Sequence, residues 1–277
     1  MPRNTDNRRR VFADVVSIDA WHASFDSGKA VVDLHADVMF GTARLGGEPE
    51  SPITFRLAVK RAELVVVVPE TEPVKVDPAS VAREIRITKG KKVETFQRTE
   101  GRKLKAGLGL NLSKKGVNTE AKGEARAHRE QTTVQKWDLS TPVQQFKIHH
   151  SKTDTGDYRW IITFYNDAGL EGSPWDAAKE PRLKLIDTRN GGNKSIEPTV
   201  RLEVRCRAED LAISDLCDKD ETRWNLLSRA SGFKTRMAAA TAYVRNKLIE
   251  EGLHVTSIED RFGELTIANI TAEARRP

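Results

Sequence analysis

From Lys92 to Trp137 the chain has the pattern of one very long two-stranded β-hairpin, and no other stretch limits the possible folds as strongly. Ordinary strands run to about 5–6 residues. The arm from Lys92 to Leu112 alone, at ~3.3 Å per residue, extends about 70 Å. An isolated ribbon of that kind is marginal in water. It needs a sheet, another subunit or a bilayer to cover whatever apolar face it carries.

The distal part of the hairpin has such a face. With the turn at Ser113-Lys114-Lys115-Gly116, Leu112 pairs with Val117, Leu110 with Thr119, Leu108 with Ala121 and Leu104 with Ala125. Large residues on one arm meet small ones on the other. On the opposite face Lys105 meets Glu124, with Lys122 beside it and Arg126 further along. Opposed charges of this kind contribute about 0.2–1 kcal/mol per pair, and a slip of one residue would turn every side chain to the wrong face. The proximal part, Lys92–Lys103 with His128–Trp137, is a polar stalk with few apolar residues.

Charge sharpens the division. Between Arg86 and Lys136 there are fourteen Lys and Arg against five Glu, a net of +9, which leaves −3 for the remainder of a chain whose total is +6. The hairpin is basic and the body mildly acidic, so the hairpin is drawn to anionic surfaces: nucleic acid, acidic protein or anionic lipid.

The first two hundred residues otherwise consist of short strand patterns. Val11–Phe25, Ala30–Arg44 and Ile53–Val68 precede the hairpin, and Pro142–His150, Tyr158–Asn166, Leu183–Thr188 and Thr199–Ala208 follow it. Val32, Leu34, Ala36, Val38 and Phe40 alternate with polar or exposed positions, as in a half-buried strand. The continuous apolar run Leu64–Val68 implies burial on both faces. Thr71–Pro78 is extended, and Asp167–Pro181 is an irregular loop around Trp175. Many strands joined by Gly, Asn and Asp turns point to an antiparallel β-sandwich.

Near Asp218 the period changes. Trp224, Leu227, Phe233, Met237, Val244 and Leu248 fall at mostly helical spacings up to Gly252, and Leu253–Ile258 with Glu264–Ala272 suits a hairpin. The expected fold is therefore α+β, mainly β: a tail over residues 1–10 expected to be disordered, a sandwich over 11–217 bearing the long hairpin 92–137, and a helix-plus-hairpin unit over 218–277. Trp224, Phe233 and Met237 would anchor the helix in the core.

Motifs for chemistry are few. There is no Gly-x-Ser-x-Gly, no P-loop and no dinucleotide fingerprint. His149 and His150 are adjacent on a strand pattern and so point to opposite faces, which suits one buried and one exposed ring better than a metal chelate. Cys206 and Cys217 make neither a disulfide framework nor a zinc set. Met1–Arg10 lacks the apolar segment of a secretory leader. The expectation is a cytoplasmic protein that is not an enzyme and has no cofactor.

Function then rests on the hairpin. It packs on its own sandwich, or it serves as an assembly arm that contacts a protein partner or sister subunits, the leading expectation. The main alternative is a pore-forming protein that inserts the tip: Leu104–Leu112 and Val117–Ala127 meet the ~9–11 residues that a membrane-crossing strand requires. The third is nucleic-acid binding by a winged-helix-like C-terminal unit, with Arg223, Arg229, Lys234, Arg236, Arg245, Lys247 and Arg261 towards phosphates and Glu250, Glu251 and Glu259 opposing them.

Overall fold

The computed structural model describes residues 8–25, 29–48, 53–83, 87–100, 133–164, 169–189, 196–218, 229–256 and 260–275. The strands in chain order are β1 (Arg8–Arg10), β2 (Val16–Ala23), β3 (Val31–Phe40), β4 (Ala43–Gly46), β5 (Ile53–Val59), β6 (Arg61–Val67), β7 (Val74–Asp77) and β8 (Ile87–Glu100). They continue with β9 (Thr133–Lys152), β10 (Tyr158–Phe164), β11 (Leu183–Asp187), β12 (Arg201–Arg207), β13 (Leu211–Asp218), β14 (Glu264–Thr271) and β15 (Glu273–Arg275), with one α-helix, α1 (Arg229–Glu250), ahead of β14. The fold is mainly β, as expected, and sandwich-like, with no closed barrel among the described residues.

Three sheets form. The first has the order β1-β14-β12-β6-β10-β9-β8, the second β15-β2-β3-β11-β7 and the third β13-β5-β4. All pairings with a recorded register are antiparallel except β15 on β2. Alternation selects the core face of β3: Val32, Leu34, Ala36, Val38 and Phe40 are all buried while their neighbours are not. In β6, Leu64, Val65 and Val66 are at most 1% exposed, so the apolar run is covered on both faces. One hydrophobic cluster draws Ile18, Leu34, Phe55, Leu64, Ile148, Trp160, Leu202 and Ile267 together from all three sheets.

The segment Ile53–Val67 serves two sheets. It breaks at Lys60, whose N–H donates to the Asp210 carbonyl, so β5 enters the three-stranded sheet and β6 the seven-stranded one. The loop around Trp175 is part of the core: the Trp175 indole donates to the Ala36 carbonyl at 2.6 Å, and the Arg182 guanidinium lies 4.3 Å over its ring.

Several expectations change. Arg8–Arg10, expected as a disordered tail, adds a strand to β14. Residues 211–218, which lack clean alternation, form β13 on β5 with a bulge between Ser214 and Cys217. Asp215 sits there at φ 50°, a left-handed conformation that Asp tolerates better than most residues.

The C-terminal segment does not stand apart either. Contacts divide the chain into one compact unit, residues 1–89 with 144–277, and a second, residues 90–143. Strand β14 lies between β1 and β12 because both its faces are apolar enough to be buried. The pairing expected for Leu253–Ile258 shrinks to a single bridge, Val255 with Leu265, flanked by two backbone hydrogen bonds. Helix α1 buries Ala240, Val244 and Leu248 against β13 and β5, whereas Phe233 is 53% exposed and Met237 half-buried. Phe233 is therefore not a core anchor: at 3.6 residues per turn it lies nearly two full turns before Ala240, on the same face as the Ala240–Val244–Leu248 stripe, but the burial of that face does not reach back to it. Trp224 lies outside the described residues.

Candidate interaction ribbon

The two strands that lead to the hairpin tip are the longest in the protein among the described residues: β8 has 14 residues and β9 has 20. At ~3.3 Å per residue β9 spans about 65 Å. The two are neighbours in the seven-stranded sheet, with β8 at its edge. The tip itself, with Leu104, Leu108, Leu110, Leu112, Val117, Ala121 and Ala125 on the aliphatic side and Lys105, Lys114, Lys115, Lys122 and Arg126 among the charges, lies outside the described residues. So does the arm-to-arm pairing inferred for it.

The C-terminal end of β9 is firmly held. It pairs with β10 from Phe146↔Phe164 to Lys152↔Tyr158. Phe146 is 1% exposed, and its ring meets that of Phe164 edge-on at 5.3 Å and 87°. Ile148 is buried, and the Trp160 indole donates to the Ala82 carbonyl at 2.8 Å. His149 faces outward, as the strand period requires, while the His150 ring lies between Tyr158 at 5.9 Å and Trp160 at 5.8 Å. The His150 Nε2 is buried without a hydrogen-bond partner. Burial first, then the positive charges of Arg83, His149 and Lys152, hold its pKa below the ordinary value.

The recorded pairing of β9 with β10 begins at Phe146. Pro142, which has no N–H to donate, falls in the preceding part of the strand. The other strand, β8, ends the sheet order.

The basic residues proposed for phosphate contacts on the C-terminal segment are differently placed. Arg236 is buried; Lys247 pairs with Glu48 at 3.8 Å and Glu250 at 3.5 Å; Arg261 pairs with Glu209 at 2.7 Å. Lys234 is exposed, and Arg223 lies outside the described residues. Among the described residues no cluster of His, Cys, Asp or Glu suits a metal ion. Cys206 is buried, with burial driving its thiol pKa upward, and Cys217 is exposed. No helix among the described residues is long and apolar enough to cross a membrane, which has no bearing on strands.

No family model matches the chain, and neither does any curated protein. Among solved structures it matches the Clostridium perfringens NetB toxin in its membrane inserted form, at 11% identity over 69% of this chain and 83% of that one. The TM-score is 0.26, too low for the likeness to carry an argument about fold or function.

Proposed function

We propose that the protein is a non-enzymatic assembly module that pairs with a protein partner or with further copies of itself through the β8–β9 ribbon. The observation that carries this reading is the place of β8, one of the two longest strands among the described residues, at the end of the seven-stranded sheet order. An edge strand offers a row of N–H and C=O groups that another strand can complete. Light scattering on the full chain and on a variant lacking Lys103–Arg126 tests the proposal. Oligomers that disappear or shrink in the variant support it; a strictly monomeric full chain at high concentration, with no effect of the deletion on stability or partner binding, refutes it.

A second reading is favoured by the alternation in Leu104–Leu112 and Val117–Ala127: the tip enters an anionic bilayer and the charged side lines a lumen. Dye release from anionic liposomes that is lost on Leu108→Asp or Leu110→Asp supports insertion. Intact liposomes at high protein concentration exclude it and leave assembly in solution. Nucleic-acid binding stays third, since Lys247 and Arg261 have carboxylate partners; steeply salt-dependent duplex binding would restore it.

A further inference from the structure

A cleft of about 520 Å³ lies over the second sheet, where Trp21, His35, Asp33, Lys29, Lys184 and Arg275 come together. It belongs wholly to the body and is independent of the ribbon. The strands place these side chains in rows: Trp21 is opposite His35 on β2 and β3, and Asp33 is opposite Lys184 on β3 and β11. The Trp21 and His35 rings stack at 5.3 Å and 4°. The Arg275 guanidinium lies 4.3 Å over the Trp21 ring and donates to Asp19 at 3.0 Å, so its charge is already committed. This ladder is a rigid wall.

The polar groups left over in the cleft are of two kinds. The Asp33 Oδ1 is buried and accepts no hydrogen bond. The His35 Nδ1 is 2.8 Å from the Ala177 carbonyl, which can only accept, so Nδ1 carries a proton; in that tautomer of the uncharged imidazole Nε2 is an acceptor. Lys29 and Lys184 are exposed cations, and neither forms an ion pair among the described residues. Unmatched acceptors therefore stand beside unmatched cations. A simple anion would serve the lysines and repel Asp33; a neutral sugar would serve the acceptors and leave the lysines unmatched. A volume of this size falls in the ordinary range of ligand pockets, about 300–1,000 Å³, and exceeds the needs of a lone anion.

We propose that this cleft binds an acidic saccharide. Its carboxylate meets Lys29 and Lys184, its ring hydroxyls donate to Asp33 and His35, and its C–H surface rests on the apolar edge of the Trp21 ladder. The test is calorimetric titration of the full chain with glucuronic acid, glucose, acetate and phosphoethanolamine. Glucuronate is expected to bind at least about tenfold more tightly than glucose or acetate, a factor that one carboxylate–lysine contact can supply. Replacing both lysines (Lys29→Ala with Lys184→Ala) should bring glucuronate down to the level of glucose. Both lysines are exposed, so this variant should keep its thermal unfolding midpoint. Asp33→Ala should weaken glucuronate and glucose together. Acetate binding as well as glucuronate, phosphoethanolamine binding best, or no binding of glucuronate at millimolar concentration would each overturn the proposal.

Discussion

Replacing Phe146 by alanine tests whether the end of β9 is held by its aromatic contact as the geometry implies. Phe146 is 1% exposed and meets Phe164 edge-on at 5.3 Å, directly across the β9–β10 pair. Phe→Ala at a fully buried site typically costs about 3–5 kcal/mol in lost transfer energy and residual cavity. About 0.5–1.5 kcal/mol of that belongs to the ring pair itself. Total stability of a domain is usually about 5–15 kcal/mol, so the substitution removes a large part of it. Urea unfolding followed by near-ultraviolet circular dichroism measures the loss as a shift in midpoint at constant slope. A cycle with Phe164→Leu isolates the pair: the double variant should lose about 1 kcal/mol less than the two single losses added together. A loss below about 1 kcal/mol for Phe146→Ala, or strict additivity in the cycle, would show that β9 is held by its backbone ladder and not by this contact.

Glu63, only 7% exposed, accepts from Arg61 and, at 3.1 Å, from Arg159. Glu63→Gln removes the carboxylate partner of Arg159 and leaves Arg61 only Asp210, 3.6 Å away, and should cost about 2 kcal/mol in urea unfolding; an unchanged midpoint would mean that the network is neutral. A Cβ on Gly41 would stand 2.6 Å from the Asp14 carbonyl oxygen, a backbone atom that cannot swing away. Gly41→Ala should therefore destabilise by about 1–3 kcal/mol, and a stabilised variant would contradict the packing of residues 12–16 against the end of β3. For His150, burial and neighbouring cations lower the folded pKa below the ordinary value of 6.5, so the unfolded chain binds more protons in the interval between the two. Stability should be unaffected above that value and fall as pH drops from it through the folded pKa. Comparing midpoints at pH 7.5 and 5.5 for the natural chain and His150→Phe should show a smaller acid loss in the variant; an identical loss would place the titration elsewhere.

Most of the sheet architecture was legible because one face of each strand is buried and the period of two survives in the residues. β3 is the clearest case, and the continuous apolar run of β6 correctly implied cover on both sides. The expectation failed where local pattern and tertiary placement part company. Nothing in Arg8–Arg10 suggests a strand, yet the three residues pair with β14. β13 hid behind its bulge, which shifts the alternation partway along. Phe233 misled for a different reason: it shares the helix face of Ala240, Val244 and Leu248, yet the burial of that face does not reach back to it. The cleft beside Trp21 was invisible for a third. Its residues come from strands that are neighbours only in the folded sheet, with Arg275 reaching Trp21 from the opposite end of the chain.

On the proposed assembly reading, the composition of the ribbon limits uncontrolled pairing. β8, which ends the sheet order, carries Lys89, Lys91, Lys92 and Arg98 against Glu94 and Glu100, so like copies that approached along this edge would bring net positive charge together. Lysines on an edge strand are a common device against uncontrolled pairing. β9 contains Pro142, whose missing N–H would stop a ladder from spreading through that point. The charge barrier is conditional, because an anionic surface or a screening salt lowers it while leaving the hydrogen-bonding groups in place. Assembly through this ribbon would therefore be favoured by a nearby anion, which is how the proposed reading ties the basic charge of residues 86–136 to the edge position of β8.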